Sequence, residues 1–423
     1  MRVIADLHIH SGYSRATSPR MNIEEIVRWA DKKGIGIIGS GDFQHPGYFG
    51  ELKNRIIDAD EGLCMLRKGS SKARIMLTTE ISSIYKHKDK VRKIHTLVML
   101  PGLKNAEIFS KKLAEKGNTA SDGRPILGMP AKDVLKFTLD ICPEAMVIPA
   151  HAWTPWFSVF GAKSGYDSLE ECFEEETHNI RAIETGLSSD PAMNWMISGL
   201  DNISLISNSD AHSPEKIGRE ANVFDCGLSY YEVKDILYKK DLKRFLYTIE
   251  FFPEEGKYHN DGHRECGINM HPKDAEKTGG ICPVCGKALT PGVLHRVKEL
   301  ADRPWNTRPK NAVPYKSIIQ LEEIISDVKE AAPSSKKVKK EYEKMLSKGG
   351  TEFEILLDRT REELLKIGDS GTADAIIRMR KGNVKLVPGY DGEFGKISIF
   401  REIENAQKAS ANMQLDLFGK RKK

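Results

Sequence analysis

Short apolar segments alternate with helical segments over residues 1–250, and this alternation constrains the fold more than any other feature of the sequence. Residues 22–33 show the helical pattern, in which Ile23, Ile26 and Ala30 share one face and Gly34 ends the helix. The predicted strands are residues 2–10, 35–40, 74–77, 93–99, 145–150, 180–185 and 203–208. Strands separated by helices predict an α/β fold with a parallel sheet or a (β/α) barrel.

The first predicted strand ends in Asp6-Leu7-His8-Ile9-His10. Because side chains alternate between the two faces of a strand, Asp6, His8 and His10 share one face. Imidazoles are costly to bury without a partner, and metal coordination is a common solution. The alternative is a chance polar strand edge. The string predicts a metal site in which His8 and His10 are ligands and Asp6 supports them.

Residues of the types that bind metals recur along the other predicted strands. In a barrel, functional residues lie at the carboxyl ends of the strands, so these side chains are expected to meet. They are Asp42, Glu80, His95, His151, Asp210 and His212. The alternative is that each of these residues has an unrelated role in the core or on the surface, and this alternative does not explain why they recur on almost every strand.

Composition excludes several classes of protein. The net charge is only +5 with a pI near 8.6, which permits nucleic acid as a partner without requiring it. The sequence has neither a membrane-length apolar run nor a signal peptide, and its seven cysteines are irregularly spaced. We therefore expect a cytoplasmic, nucleoid-associated protein with no membrane contact and no disulfide framework.

Residues 251–310, the cysteine module, are rich in Gly, Cys, His and Pro. Cys266 precedes a Cys282-Pro-Val-Cys285-Gly knuckle, and three thiolates with one imidazole form a closed tetrahedral zinc site. His263 has the symmetric spacing and is the preferred fourth ligand. The alternative ligands are His259, His271 and His295.

Residues 311–405 are predicted to be helical and to bind DNA. The predicted helices are residues 315–330, 336–348 and 359–367. Gly368 and Gly371 join two of the helical runs in a pattern similar to a helix-hairpin-helix, which presents backbone N–H groups to a phosphate. Arg378 supports this interpretation, and an ordinary glycine-linked helix pair is the alternative.

Residues 406–423 form a basic tail. Gln414, Leu417 and Phe418 resemble a shortened peptide that binds the sliding clamp of DNA replication, although the aromatic residue comes too early for the full motif. A plain anchoring segment is the alternative.

An aromatic segment follows His151 directly. Trp153, Trp156 and Phe157 are either ordinary packing residues or the flat walls of a pocket for a nucleobase. An enzyme that acts at one altered base has to extrude it from the stack into such a pocket.

The order and spacing of the metal-binding residue types resemble the motifs of the PHP (polymerase and histidinol phosphatase) domain over residues 1–250. The resemblance implies a distorted (β/α)7 barrel that cleaves phosphoesters with two or three metal ions. It implies one metal held by His8, His10, Glu80 and Asp210, a second held by Glu80, His95 and His151, and a third held by Asp42 and His212. It makes Glu80, Asp210 and His212 the catalytic candidates.

The sequence departs from the PHP pattern around the third metal. Gly41-Asp42-Phe43 stands where the family has Thr-Asp-His, and Tyr13-Ser14-Arg15 stands where a further histidine is usual. Zn²⁺ is expected in the cysteine module and in the barrel, with Mg²⁺ or Mn²⁺ as alternatives for catalysis.

The barrel motifs combined with the 259–266 and 282–303 segments resemble the endonuclease Q family over essentially the whole chain. The resemblance implies a DNA repair endonuclease that cuts double- or single-stranded DNA on the 5′ side of deaminated bases (hypoxanthine, uracil, xanthine) and abasic sites. The alternatives are a phosphatase for a small phosphate ester and a non-catalytic DNA-binding protein.

Overall fold

The structure is a computed structural model that describes residues 1–400 of the 423-residue chain. The predicted clamp-binding residues Gln414, Leu417 and Phe418 lie outside the described residues. Among residues 1–400, every helix is too short or too polar to cross a bilayer.

The amino-terminal region is an α/β barrel. Its strands are β1 (Arg2–Asp6), β2 (Ile37–Gly39), β3 (Ile56–Asp58), β4 (Cys64–Leu66), β5 (Arg74–His87), β6 (Lys90–Leu100), β7 (Ile126–Leu127), β8 (Met146–Pro149), β9 (Ala182–Glu184), β10 (Ser204–Ile206), β11 (Ala221–Asp225) and β12 (Phe245–Glu250). Its helices are α1 (Ile23–Lys33), α2 (Pro46–Arg55), α3 (Gly102–Ala114), α4 (Ala131–Ile141), α5 (Leu169–Phe173), α6 (Pro191–Asn194) and α7 (Tyr230–Lys239).

The barrel is formed by β1, β2, β5, β6, β8, β9 and β10 in that order, and loop contacts close it at two joints. The Ala152 N–H donates to Glu184 O (2.9 Å) between the end of β8 and β9. The Asp210 N–H donates to His8 O (2.8 Å) between the segments that follow β10 and β1. These joints replace regular strand pairing, so the barrel is distorted, and the predicted α/β class is confirmed.

Helix α1 shows how the local sequence determines an element. Asn22 caps its first turn by accepting the Glu25 N–H, and Gly34 ends it in the left-handed region at φ 88°. Its apolar face, which includes Ile26 and Ala30, is buried in the main core. The predicted helix over 22–33 is therefore observed almost unchanged.

The parallel strand arrangement expected from the alternation of strands and helices does not extend to β5 and β6. They pair antiparallel over eleven positions as a hairpin, with Lys88 and Asp89 at positive φ (48° and 62°) in its turn. The reversal brings the first half of β6 beside the second half of β5, and Ser82 pairs with His95. His95 therefore reaches the site from the middle of a strand.

After the barrel, the described chain consists of the cysteine module and a mainly helical carboxyl-terminal region. The cysteine module has a hairpin, β13 (Asp261–His263) and β14 (Ile268–Met270), and helices α8 (Pro272–Lys277) and α9 (Val293–Leu300). After it come β15 (Tyr315–Ser317), α10 (Leu321–Lys329), α11 (Lys336–Gly349), a π-helical turn (Glu354–Asp358), α12 (Arg361–Ile367), α13 (Ser370–Arg380), β16 (Lys385–Val387) and β17 (Lys396–Ser398).

The prediction that a helix spans 315–330 is wrong at its start. Tyr315–Ser317 forms β15, which pairs in parallel with Thr248–Glu250 of β12. Hydrogen bonding to an open sheet edge outweighs the local helical pattern there, and α10 begins only at Leu321.

Candidate active site

His8 and His10 are fully buried and are held by carboxylates, and they follow β1, which ends at Asp6 and is shorter than the predicted strand over 2–10. His8 Nδ1 lies 3.0 Å from both oxygens of Glu184, and His10 Nδ1 lies 3.1 Å from Asp42 Oδ1. Each ring therefore donates its Nδ1–H to a carboxylate and turns Nε2 toward the barrel interior. Such a contact fixes the tautomer and the ring orientation of a metal ligand.

Two groups of ligand atoms meet at one end of the barrel, and we call them together the metal cluster. One group is His8, His10 and Asp210, and the other is Glu80, His95 and His151. Within each group the ligand atoms lie within 4.8 Å of one another.

Glu80 connects the two groups. Its Oε2 lies 3.4 Å from His10 Nε2, whereas its Oε1 lies 2.8 Å from His95 Nδ1 and 3.0 Å from His151 Nε2. A carboxylate in this position can bridge two metal ions.

Unsatisfied atoms in the cluster fit metal ions. The Nε2 atoms of His8 and His10 and Asp210 Oδ1 are buried and make no hydrogen bond of acceptable geometry within residues 1–400. Buried polar groups of this kind need a partner. Imidazoles with carboxylates suit a divalent transition metal, and carboxylate oxygens also suit Mg²⁺ or Mn²⁺.

The backbone near the cluster is strained where it turns the side chains inward. Asp42, His151 and Asp210 have positive φ values of 44°, 29° and 47°. Such conformations cost on the order of 1–3 kcal/mol each and are concentrated at functional sites. Each of these residues follows a strand, so the strain directs its side chain into the barrel end.

The charges of the site are mutually dependent. Burial alone would raise the pKa of Glu80, but the nearby His95, Arg124 and other histidines outweigh it and hold that pKa well below its usual range. Burial lowers the pKa of His95 to about 4. Glu80 is therefore ionised and His95 neutral at pH 7, which are the forms that bind a metal.

The structure does not assemble the third ligand group. Both oxygens of Asp42 are engaged, because Oδ2 accepts hydrogen bonds from Ser11 and Ser14 while Oδ1 faces His10. His212 Nδ1 contacts the backbone oxygen of Asp210 (2.8 Å), and its ring lies tilted beside that of His10, with the ring centroids 4.6 Å apart. Within residues 1–400, Asp42 and His212 share no further ligand.

Sequence reasoning missed Glu184 and Arg124. Glu184 is the last residue of β9 and also accepts the His151 N–H (2.7 Å), so its place at a strand end was an available signal. Arg124 donates from Nη1 to Glu80 Oε2 (3.1 Å). It lies in an irregular segment before β7, where the pattern analysis offered no signal.

In the cysteine module, the structure gathers His263, Cys266, Cys282 and Cys285 into one group whose ligand atoms lie within 4.8 Å of one another. The other candidate histidines have different roles: His271 caps α8, and His295 pairs with Asp261 (2.7 Å). His259 is buried outside the group.

The aromatic segment divides into a buried and an open part. The prediction that Trp153 stacks on a base is wrong, because it is 1% exposed, packs on Phe160 and donates its indole N–H to Asn194. Trp156 is 42% exposed. Phe157 lies against the His95 ring at 4.7 Å and therefore adjoins the metal cluster.

The predicted hairpin region is a helix pair, α12 and α13, joined at Gly368. The Asp369 carboxylate caps α13 by accepting the Thr372 N–H (3.1 Å), which puts a negative charge at the helix end that a phosphate would approach. Gly371 lies in the first turn of α13 and Arg378 in its last, where Arg378 stacks over Phe400.

Comparisons with known proteins match a carboxyl-terminal segment of the chain and, separately, nearly the whole chain. Residues 320–383, which include α10 to α13, match the family "MJ0043 C-terminal domain". The uncharacterized protein MJ0043 of Methanocaldococcus jannaschii is 34% identical over 253 residues, which are 59% of this chain but only 31% of that protein.

The lesion-specific endonuclease PfuEndoQ from Pyrococcus furiosus has a crystal structure that matches with a TM-score of 0.83 and 31% identity, over 96% of this chain and 99% of that one. This chain belongs to the endonuclease Q family. A crystal structure of endonuclease Q with a 27-mer duplex substrate that has an abasic lesion at the active site matches with a TM-score of 0.82, 31% identity and the same coverage. As a member of the endonuclease Q family, the chain is an enzyme of the endonuclease type.

Proposed function

We propose that this endonuclease Q member is a DNA repair enzyme. It hydrolyses the phosphodiester on the 5′ side of deaminated bases (hypoxanthine, uracil and xanthine) and of abasic sites. The observation that carries the proposal is the metal cluster, in which Glu80 connects two groups of ligands at an open barrel end. The full-length likeness to endonuclease Q, including a complex with a lesion-containing duplex, supports DNA as the substrate.

We propose that His8, His10, Glu80 and Asp210 hold one metal ion and that Glu80, His95 and His151 hold a second. Two such ions, when bound, would supply positive charge to the attacking and leaving oxygens of an in-line displacement at phosphorus. Glu184 and Asp42 orient His8 and His10, and His212 lies at the edge of the same opening. Zn²⁺, Mn²⁺ and Mg²⁺ are the candidate ions, and metal analysis of the purified protein identifies which is bound.

The decisive experiment incubates the full chain and a metal with labelled duplexes that contain hypoxanthine, uracil, xanthine, an abasic site or no lesion. We expect nicking only in the lesion strand, at the 5′ side. Asp210→Asn should abolish nicking but retain duplex binding, whereas Asp225→Asn, on an exposed carboxylate, should cut normally. Hydrolysis of p-nitrophenyl phosphate without nicking would support the phosphatase alternative, and binding without either reaction would support the non-catalytic one.

We also propose that Trp156 and Phe157 form the wall against which the displaced base stacks. Phe157 adjoins His95, and Lys93 Nζ lies 5.3 Å from the Phe157 ring centroid. Stacking of a base on an aromatic ring contributes about 1–3 kcal/mol. Trp156→Ala should therefore raise KM for lesion duplexes by about tenfold, and Trp305→Ala, which removes an equally exposed tryptophan, should not. An equal effect of both variants would contradict this assignment.

Two further contacts are proposed. Arg378 binds DNA backbone phosphate from the last turn of α13, at the end away from Gly368, Asp369 and Gly371, and its replacement by glutamine should weaken duplex binding about equally with and without a lesion. The tail residues Gln414, Leu417 and Phe418 bind a sliding clamp. Phe418→Ala should abolish clamp binding in a surface plasmon resonance assay while nicking of short duplexes is unchanged.

A further inference from the structure

Arg124 is a cation in contact with the carboxylate that connects the two ligand groups. Its Nη1 donates to Glu80 Oε2 (3.1 Å), the oxygen that also faces His10 Nε2 (3.4 Å). Burial lowers the pKa of Arg124, but the carboxylates of Glu80 and Asp210 outweigh it and raise that pKa above its usual value. Arg124 thus lies beside the carboxylate that connects the two ligand groups.

The guanidinium of Arg124 has donors available for a ligand. Its side chain is 26% exposed, so one edge reaches the opening of the barrel. In the part of the chain that the structure describes, Nε and Nη2 make no hydrogen bond. A planar guanidinium with two adjacent donors fits two oxygens of a phosphate group.

The segment that holds Arg124 is fixed in position before any substrate arrives. The buried Asp122 carboxylate accepts the Arg124 N–H (3.0 Å), and Gln44 donates to Gly123 O (2.7 Å). A Cβ at Gly123 would lie 2.5 Å from Asp42 Oδ2, so only glycine allows this close approach. The arginine is therefore preorganised, which is the condition for electrostatic catalysis.

The position of Arg124 also bears on the missing third ligand group. Asp42 is engaged with His10 and two serines, and His212 shares no further ligand with it in residues 1–400. With a metal ion in each of the two ligand groups, the site would still present three positive centres to a phosphodiester, counting the guanidinium of Arg124.

On the basis of the proposed endonuclease function, we propose that Arg124 is a catalytic residue. Its Nε and Nη2 donate to non-bridging oxygens of the scissile phosphate and offset the negative charge that increases in the transition state. Arg124 remains protonated throughout and transfers no proton, so it replaces the charge of a third metal ion without changing the metal ligands.

The test compares Arg124→Ala and Arg124→Lys with Arg15→Ala, which removes an exposed arginine that pairs with the same Asp122 (3.3 Å). We expect Arg124→Ala to lower kcat by about 10²–10³-fold, the typical loss for one preorganised donor. Lysine should restore only part of this loss, because it lacks the planar pair of donors. Added guanidinium ion should restore activity to Arg124→Ala. The kcat of Arg15→Ala should stay within roughly threefold of the wild-type value.

Metal content measured by mass spectrometry separates this role from a positioning role. We expect Arg124→Ala to keep the metal content of the wild type. A lower content, with activity restored by excess metal, would overturn the proposal, because Arg124 would then only hold Glu80 in place. An unchanged kcat would also overturn it.

A failure of the proposed endonuclease function can be distinguished from a failure of the Arg124 assignment. In that case the wild type would cut no lesion duplex, and hydrolysis of bis(p-nitrophenyl) phosphate by the wild type and by Arg124→Ala would still report on Arg124. A loss with that substrate would support the arginine assignment, and equal rates would contradict it.

Discussion

The metal cluster and the cysteine module differ in what surrounds their ligands. In the barrel, His8, His10 and Glu80 are buried within large apolar cores, and buried carboxylates hold the imidazoles from behind. In the module, Cys285 is exposed, and the local core contains only Ala275, Cys282 and Leu289 among fully buried residues. We therefore expect the barrel to form its site by folding, and the cysteine module to depend on a bound metal for its fold.

The largest expected effect is the loss of the folded structure of the cysteine module. If the module holds the expected zinc, Cys282→Ser should weaken its binding and unfold the region around residues 261–290, because structural zinc contributes about 10–16 kcal/mol in comparable small sites. Limited proteolysis should cut this region while the barrel resists. A variant that keeps the protease resistance of the wild type would show that the module folds without metal.

The second effect is confined to the metal cluster. Glu80→Gln should remove the bridging charge and lower kcat by about 10³-fold, or about 4 kcal/mol, with the barrel still folded. Metal analysis should show loss from the barrel and retention in the module. Glu144→Gln, on an exposed carboxylate, is the matched control. An unfolded Glu80→Gln barrel would contradict the comparison.

A smaller effect is expected from the carboxylate behind His8. Glu184→Gln keeps an oxygen for the His151 N–H but loses the charge next to His8 Nδ1. Outer partners of metal ligands typically affect metal affinity by about 10–100-fold. Titration with a chelator should show this weakening, and excess metal should restore nicking. Unchanged affinity would assign Glu184 to the fold alone.

The smallest expected effect concerns Glu220 and Glu250, two buried carboxylates that are not part of the metal cluster. Burial raises the pKa of Glu250 to about 8 and that of Glu220 well above its usual range. Above about pH 4.3 the native state therefore holds protons that the unfolded state has released, so the free energy of unfolding falls as pH rises from about 4.3 towards 8 and levels off above about pH 8.

Between pH 7 and pH 8, wild-type stability should decrease by about 1 kcal/mol more than that of Glu250→Gln, because the amide does not titrate. Denaturant unfolding at the two pH values measures the difference. Parallel pH profiles for the two proteins would contradict the raised pKa of Glu250.

The parts of the fold that could be predicted are those decided by local sequence. Helix α1 has its cap, its apolar face and its terminal glycine within a few residues of one another. The direction of β6 could not be predicted, because the Lys88-Asp89 turn lacks the usual Asn-Gly or Asp-Gly signal. The strand β15 was missed because its partner, β12, lies about 65 residues earlier in the sequence, and pairing of that kind overrides local propensity.

The residues of the candidate site likewise divide into those that local sequence identified and those whose roles depend on distant contacts. The alternation of His8 and His10 identified them as one pair, although β1 ends at Asp6. Predicted strand ends located Glu80, His151 and Asp210, although Glu80 lies inside β5. Asp42 was found but its role was not, because hydrogen bonds to Ser11 and Ser14 appear only in three dimensions. Trp153 and Trp156 look alike in sequence and differ in burial, which depends on distant residues such as Asn194.

The pairing of Tyr315–Ser317 with β12 has a consequence for any shortened form of the protein. A chain that ends near residue 310 would leave Thr248–Glu250 as an exposed sheet edge with unpaired backbone groups. Such edges join to other chains, so the shortened barrel should self-associate even if its metal-binding residues are intact. The carboxyl-terminal region thus protects the solubility of the barrel that precedes it.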